Sequence, residues 1–166
     1  IAVLITSDKS YENVEWEYGY REDDRLGGKD PYSASKACAE IAIKSYYESF
    51  FRDSATKIAS VRAGNVIGGG DWARHRIVPD CMTAWSQNKP VDIRSPNATR
   101  PWQHVLEPLS GYLWLARSLQ SPQAASINGE AFNFGPDAGM NYSVCELINA
   151  LASVWGEGAR RQVQGS

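Results

Sequence analysis

The order of apolar patterns predicts an α/β fold built on a parallel sheet. Residues 1–7, IAVLITS, are a nearly continuous apolar run with β-branched members. That pattern suits a strand buried on both faces, as in a parallel sheet. Helical spacing follows from residue 31, and strand and helix patterns then alternate along the chain. Such alternation is the mark of the α/β class.

The first strand opens into SDKSYENVEWEYGYREDDRLGGKD (7–30), a polar, aromatic and Gly-containing stretch that reads as a long surface loop. A loop of this length in a compact domain is usually functional. Asp30-Pro31 starts a helix, because the acid caps free N–H groups and proline is tolerated at the first helical position. Ala34, Cys38, Ile41, Ala42 and Tyr46 recur at helical spacing and mark its expected apolar face. KIASVRAGNVIG (57–68) is the next strand with its exit. Arg62 near its end could pair with a nearby acid.

Gly68-Gly69-Gly70 breaks the pattern. It lacks spaced glycines in a strand-then-helix setting, so it is no dinucleotide fingerprint and reads as a hinge. IVPDCMTAWSQNK is a short helix and PVDIRSP a short strand. VLEPLSGYLWLARSLQ is a helix with Leu109, Tyr112, Leu113 and Ala116 on one face, weakened by Pro108 and Gly111. EAFNFGP (130–136) is a further strand. YSVCELINALASVWG is a helix whose Val144, Leu147, Ile148 and Leu151 form an apolar stripe. Ser143 with Glu146 has the form of a capping box. Trp72 and Trp102 read as packing residues.

With 166 residues, 43% hydrophobic and 22% charged, the chain is one globular domain or part of two. A net charge of −2 argues against a nucleic-acid or membrane-surface partner. No apolar run reaches the ~18 residues of a membrane span. Cys38, Cys81 and Cys145 are too scattered for a disulfide framework or a zinc site. Cys38 and Cys145 fall in apolar helical patterns and are expected to be buried, and a cytoplasmic location fits. His75 and His104 have no metal partners at ligand spacing, so no metal is expected. The chain opens on IAVLIT without Met, which reads as a piece of a longer chain.

PYSASKACAE (31–40) carries the sharpest chemical signal. Tyr32 and Lys36 lie four apart and share a helix face. A phenol titrates near about 10 and is a poor base at neutral pH. A neighbouring ammonium favours the phenolate. The pair can therefore take a hydroxyl proton while hydride leaves the same carbon. The spacing alone also arises by chance in many helices. Asp8-Lys9 at the exit of the first strand is either a solvated loop pair or part of a proton-transfer device.

Together, a buried strand ending in Ser7 and Asp8 and a helix opening with Tyr32 and Lys36 resemble the extended short-chain dehydrogenase/reductase family. VRAGNVIGGGDW, RHRIVP and RPWQHVLE resemble further segments of that family. The resemblance implies the C-terminal half of a Rossmann-type doubly wound parallel sheet plus part of a small α/β substrate-binding domain. Residues 1–68 and 101–136 would belong to the Rossmann portion. Residues 69–100 and a truncated 137–166 would belong to the substrate-binding portion. It implies NAD as cofactor, held by Tyr32 and Lys36, and Ser7, Tyr32 and Lys36 as the groups that oxidise a sugar hydroxyl. Asn65, Arg76 and Arg100 would bind a nucleotide-sugar substrate, with Glu107 replacing the family's usual acid. Without the resemblance, Arg74-His75-Arg76 reads as a solvated basic face. A homodimer is implied, and the Gly-rich cofactor loop would lie upstream, so these residues alone should bind NAD poorly.

Within the family, nucleotide-sugar 4,6-dehydratases need an acid for the departing C6 hydroxyl and a base for the C5 proton. Most carry Asp-Glu here; Asp8-Lys9 resembles the branch that acts on CDP-glucose. Asp8 is then the acid and Lys9 the base. A close ion pair would defeat both roles, so divergent side chains are expected, or a proton already moved between them in the substrate complex. The strand should end at or before Asp8. A nucleotide-sugar epimerase or decarboxylase would not need this pair, and an NAD-fold module that only binds would not need an intact Ser7, Tyr32 and Lys36.

Overall fold

A computed structural model of the chain describes residues 1–122, 124–137 and 139–163. The elements run β1 (Ala2–Ile5), α1 (Pro31–Tyr46), β2 (Ile58–Ala63), β3 (Val66–Ile67), α2 (Ile77–Ser86), β4 (Val91–Ile93), β5 (Thr99–Arg100), β6 (Gln103–His104), α3 (Leu106–Ser118), α4 (Ala124–Ile127), β7 (Ala131–Phe134), β8 (Tyr142–Ser143), α5 (Val144–Trp155) and β9 (Arg161–Val163). They fall into two compact units. The first joins Ile1–Val66 to Gln103–Pro136, and the second joins Ile67–Trp102 to the residues from Asp137 on.

In the first unit, β1, β2 and β7 form a parallel sheet in that order. Parallel neighbours need a long crossover, and α1 supplies the one between β1 and β2. That helix starts at the foreseen place. The Asp30 carboxylate accepts the Tyr32 and Ser33 N–H groups at 3.0 Å each, and Pro31 fills the first helical position. The central strand β2 is buried from Ile58 to Arg62. Its alternation gives the two faces different chemistry. Ala59 and Val61 pack with Leu115 and Leu119 on the α3 side. Ser60 and Arg62 bond to Glu40 of α1.

The first unit departs from the sequence reading in β1, α1 and α3. β1 was expected to be buried on both faces, yet it is only half-buried and Ile5 is 61% exposed. Among the described residues it pairs with β2 alone. On α1 the buried positions are Ser33, Ala37 and Glu40, while Cys38, Ile41 and Tyr46 are exposed. A strand that offers Ser60 and Arg62 draws the polar stripe of the helix inward.

On α3, Pro108 and Leu115 are buried, and Leu109 and Leu113 are exposed. The supposed weak points Pro108 and Gly111 lie on the packed stripe. Gly111 approaches Phe134 so closely that a Cβ would overlap the ring. Tyr112 meets the same ring edge-on, with centroids 5.2 Å apart.

In the second unit, Cys81 and Trp85 of α2, Val91 and Ile93 of β4, and Ile148 of α5 form the core. Val144 and Leu151 pack on it, in keeping with the α5 stripe read from the sequence. The Ser143–Glu146 capping box forms as foreseen. β4 pairs in parallel with β9, and β5 antiparallel with β8. Cys81 is the fully buried cysteine, and burial pushes its thiol up to about 12. Cys145, expected to be buried, is partly exposed. Trp102 donates its indole N–H to the Tyr142 carbonyl at 3.1 Å, whereas Trp72 is 74% exposed rather than packed. Among the described residues, no helix is long and apolar enough to cross a membrane.

Helix propensity alone would make Gly111→Ala stabilising by up to ~1 kcal/mol. The overlap with Phe134 reverses the sign. The substitution should cost about 1–3 kcal/mol, the range for overpacking, read from the shift in the urea unfolding midpoint.

Candidate active site

β1 ends at Ile5, and the chain then makes one turn of 3-10 helix over Asp8–Ser10. Ser7 caps that turn. Its Oγ accepts the Lys9 N–H at 3.2 Å and donates to Asp8 Oδ1 at 3.0 Å. The other carboxylate oxygen, Oδ2, lies 3.7 Å from Lys9 Nζ. The side chains of Asp8 and Lys9 therefore do not diverge, contrary to expectation. Divergence rested on strand alternation, which stops before these residues. In a 3-10 turn, neighbours stand only about a third of a turn apart and can meet.

Tyr32 and Lys36 occupy the first two turns of α1. The Lys36 ammonium lies 5.6 Å from the Tyr32 ring centroid, and Tyr32 is 58% exposed. The Asp8–Ser10 turn packs against α1. Electrostatics report the same proximity. The Asp30 carboxyl is held below its ordinary range first by the Ser33 hydroxyl and N–H, then by the Tyr32 N–H and the charge of Lys9. Ser7, Asp8, Lys9, Tyr32 and Lys36 thus belong to one neighbourhood of the first unit.

Beneath this turn lies a polar network that the sequence reading missed, apart from Arg62. Arg62 Nη2 meets Glu40 Oε2 at 2.8 Å, with side chains 4% and 3% exposed. The Thr6 hydroxyl donates to Glu40 Oε1, and the Ser60 hydroxyl to Oε2 at 2.9 Å. Arg62 Nη1 donates to the Tyr11 hydroxyl at 2.7 Å and to the Glu22 carbonyl at 3.0 Å. The Tyr11 hydroxyl in turn donates to Asn133 Oδ1 of β7 at 2.7 Å.

Burial alone would raise the Glu40 carboxyl. Hydrogen bonds from Arg62, Thr6 and Ser60, with the Arg62 charge, outweigh it and hold the group below its ordinary value. For Tyr11, burial prevails over Arg62 and raises the phenol. One signal for the network was present in the sequence. A guanidinium inside the apolar strand KIASVRAG demands a buried acid. Nothing in the helical periodicity marked Glu40 as that acid.

Asn65 follows β2, and its carbonyl accepts the Gln103 N–H at 3.0 Å. Arg76 and Arg100 belong to the second unit. Arg76 is exposed just before α2 and pairs with Asp71 at 3.2 Å. Arg100 is half-buried and donates to the Thr99 carbonyl at 2.7 Å. It lines a shallow cavity with His75, Asp80, Asp92 and Arg94, and Arg76 is not part of that lining. Arg94, not singled out from the sequence, sits 3.3 Å from His75 Nδ1. Among the described residues, no cluster of His, Cys, Asp and Glu could hold a metal ion.

Residues 2–135 match the NAD dependent epimerase/dehydratase family, and the chain belongs to that family. Among its relatives, CDP-glucose 4,6-dehydratase of Salmonella typhimurium is 46% identical over 168 residues, spanning 98% of this chain and 46% of the relative. The chain thus spans about half the length of the curated relative it matches. In structure it is similar to dTDP-glucose 4,6-dehydratase from Bacillus anthracis in complex with NAD. That match has a TM-score of 0.77 at 18% identity, covering 99% of this chain and 50% of the other. It is also similar to UDP-glucuronic acid 4-epimerase from Bacillus cereus in complex with UDP-glucuronic acid and NAD. There the TM-score is 0.79 at 20% identity, covering 97% and 47%. At such identities the likeness is one of fold, and it confirms the α/β, Rossmann-type parallel sheet.

Two stability results follow from the Glu40–Arg62 pair. Arg62→Met leaves a buried carboxylate without its counter-charge and should cost about 3–5 kcal/mol in urea unfolding. The folded pKa of Glu40 lies below its ordinary 4.5. Its stabilisation is therefore complete above that value and is lost as pH falls through the lower folded value. Melting temperature should drop with acid in that window. Glu40→Gln should show a shallower drop there, and an unchanged acid slope would contradict the assignment.

Proposed function

We propose that this chain carries the catalytic groups of an NAD-dependent nucleotide-sugar 4,6-dehydratase that converts CDP-glucose to CDP-4-keto-6-deoxyglucose. The observation that carries the reading is the packing of the Ser7–Asp8–Lys9 turn against the helix that bears Tyr32 and Lys36. The 46% identity to CDP-glucose 4,6-dehydratase of Salmonella typhimurium supports the choice of substrate.

The residues fit the nicotinamide end of NAD. Tyr32 and Lys36 stand one turn apart with the phenol well exposed, beside the Ser7 hydroxyl's turn. When bound, NAD supplies the hydride acceptor for C4 and the hydride donor for C6. Ser7 orients the C4 hydroxyl, Tyr32 takes its proton, and Lys36 holds the ribose. The resulting ketone acidifies C5–H. Lys9 removes that proton, Asp8 protonates the departing C6 hydroxyl, and Lys9 returns its proton to C5 when C6 is reduced.

The Asp8–Lys9 contact is compatible with these roles. At 29% and 44% exposure, such a pair is worth only ~0–1 kcal/mol, so an arriving sugar separates it at little cost. Alternatively, exclusion of water by the substrate favours the neutral forms. One proton passing from Lys9 to Asp8 then yields the base and the acid together.

In this reading Asn65 contacts the sugar nucleotide, Arg76 its diphosphate and Arg100 the nucleotide phosphate. The first unit serves as the Rossmann portion and the second as the substrate-binding portion. The reading includes a cytoplasmic homodimer, to which the exposed Ile41, Tyr46 and Phe50 offer an apolar surface.

The test is turnover by the native polypeptide that contains this chain, given CDP-glucose, dTDP-glucose and GDP-sugars in parallel. The 4-keto-6-deoxy product should form from CDP-glucose. Lys9→Ala should lose ~10²–10⁴-fold in that product while still oxidising C4, seen as accumulating NADH absorbance. Full turnover by Lys9→Ala, or a C4 epimer that keeps its C6 hydroxyl, would sink the dehydratase reading.

A further inference from the structure

We infer that the buried Glu40–Arg62 pair is a positioning device that fixes the Ser7–Asp8–Lys9 turn relative to the Tyr32/Lys36 helix. The inference rests on the dehydratase reading, because it concerns how that reading's two half-sites are held together.

The turn is bounded by Thr6 on one side and Tyr11 on the other. Each boundary residue is tied to one member of the pair. The Thr6 hydroxyl donates to Glu40, and the Tyr11 hydroxyl accepts from Arg62 at 2.7 Å. Thr6 is anchored a second time, through its N–H to the Val61 carbonyl at 2.9 Å. Tyr11 is anchored a second time through Asn133 at 2.7 Å. The catalytic turn therefore spans two fixed posts that share one ion pair.

The posts also locate the turn against the helix. Glu40 lies four residues beyond Lys36 and eight beyond Tyr32, on the same stretch of α1. Positions four apart follow one another along a helix face. The carboxylate that holds Thr6 is thus carried by the same rigid rod as the phenol and the ammonium. Arg62 belongs to β2, whose register with β1 (Leu4 opposite Ser60, Ile5 opposite Val61) sets how far along the sheet the turn emerges. The pair thus joins the exit of β1, the helix and the central strand. None of the four linking groups needs to touch substrate.

A pair kept for stability alone would be poorly chosen. Apolar residues of similar volume often serve a buried site as well or better. Moreover, the buried Arg62 Nε has no hydrogen-bond partner among the described residues. What a hydrophobic replacement cannot supply is two directed bonds, one to each side of a four-residue turn.

The test uses the native polypeptide with Thr6→Val and Tyr11→Phe, which each remove one boundary residue's tie to the pair (Tyr11→Phe also losing the bond to Asn133) and leave the ion pair in place. Kinetics are read beside the melting temperature. Each variant should lose about ten- to a hundredfold in kcat, the scale of a small misplacement of reacting groups. KM should stay within about twofold, because substrate contacts are unchanged. The loss should fall on both steps that the turn serves, C4 oxidation through Ser7 and elimination through Asp8 and Lys9, so NADH should also appear more slowly in a single turnover. Thr6→Ser, which keeps the hydroxyl, should restore kcat.

Folded variants with wild-type kcat and only a lower melting temperature would overturn the inference. So would a raised KM at constant kcat, or a failure of Thr6→Ser to rescue. A wild-type protein that dehydrates no nucleotide sugar would instead refute the function. Dehydration at an undiminished rate by both variants would refute the positioning alone.

Discussion

Glu40 and Arg62 meet at 2.8 Å almost out of reach of water, and the first unit is arranged around that contact. A lone carboxylate or guanidinium in that place would cost several kcal/mol to desolvate. Each must therefore bring its partner, and the two come from different elements. The requirement sets the rotation of α1, which turns Ser33, Ala37 and Glu40 inward and leaves Ile41 and Tyr46 outside. It also sets the division of β2 into an apolar face for α3 and a polar face for α1. The 7–30 loop follows the same demand. Tyr11 stacks on Tyr20 with centroids 5.2 Å apart, and both lie over a network whose free valences they complete.

What the sequence disclosed was chemistry that acts within a few residues. Asp30-Pro31 starts α1 because a carboxylate and an N–H two or three residues away bond to each other. Ser143 and Glu146 start α5 for the same reason. The strands β2 and β7 were evident from composition. Facing directions were not, because they depend on what a distant element presents. Apolar spacing placed Leu109 and Leu113 inside α3. The packed stripe instead includes Pro108 and Gly111, since Phe134 leaves no room for a side chain at 111. β9 carries no periodicity, and its pairing partner β4 lies far back in the chain.

The candidate site divides along the same line. Tyr32 and Lys36 are close because helix geometry guarantees it, but their spacing alone arises in many helices, and the segments around them were what singled the pair out. Ser7, Asp8 and Lys9 were found through resemblance to a family, and their mutual arrangement was misjudged. Strand alternation was carried past the end of β1 at Ile5, into a 3-10 turn where Asp8 and Lys9 meet. Glu40 and Tyr11 stayed hidden because a polar residue beside an apolar stripe reads as solvated. Only a buried cation opposite, 22 residues from Glu40 and 51 from Tyr11 along the chain, reverses that reading.

Two of the acid–base contacts of the first unit, Asp8–Lys9 and Glu40–Arg62, show why their cations differ. Asp8–Lys9 is partly exposed and weak, whereas Glu40–Arg62 is buried. A lysine ammonium surrenders its proton when water is excluded, so an Asp–Lys contact has a neutral form in reach. A guanidinium keeps its charge in any protein interior. Dehydration as proposed asks for a neutral amine and a neutral carboxylic acid at neighbouring positions, which an arginine at position 9 would deny. A support beneath the site asks for the opposite, a pair that neither titrates nor rotates. Arginine's planar fork supplies it, with one arm on Glu40 and the other on Tyr11. The placement of lysine above and arginine below therefore follows from whether each pair must exchange a proton or hold still while another does.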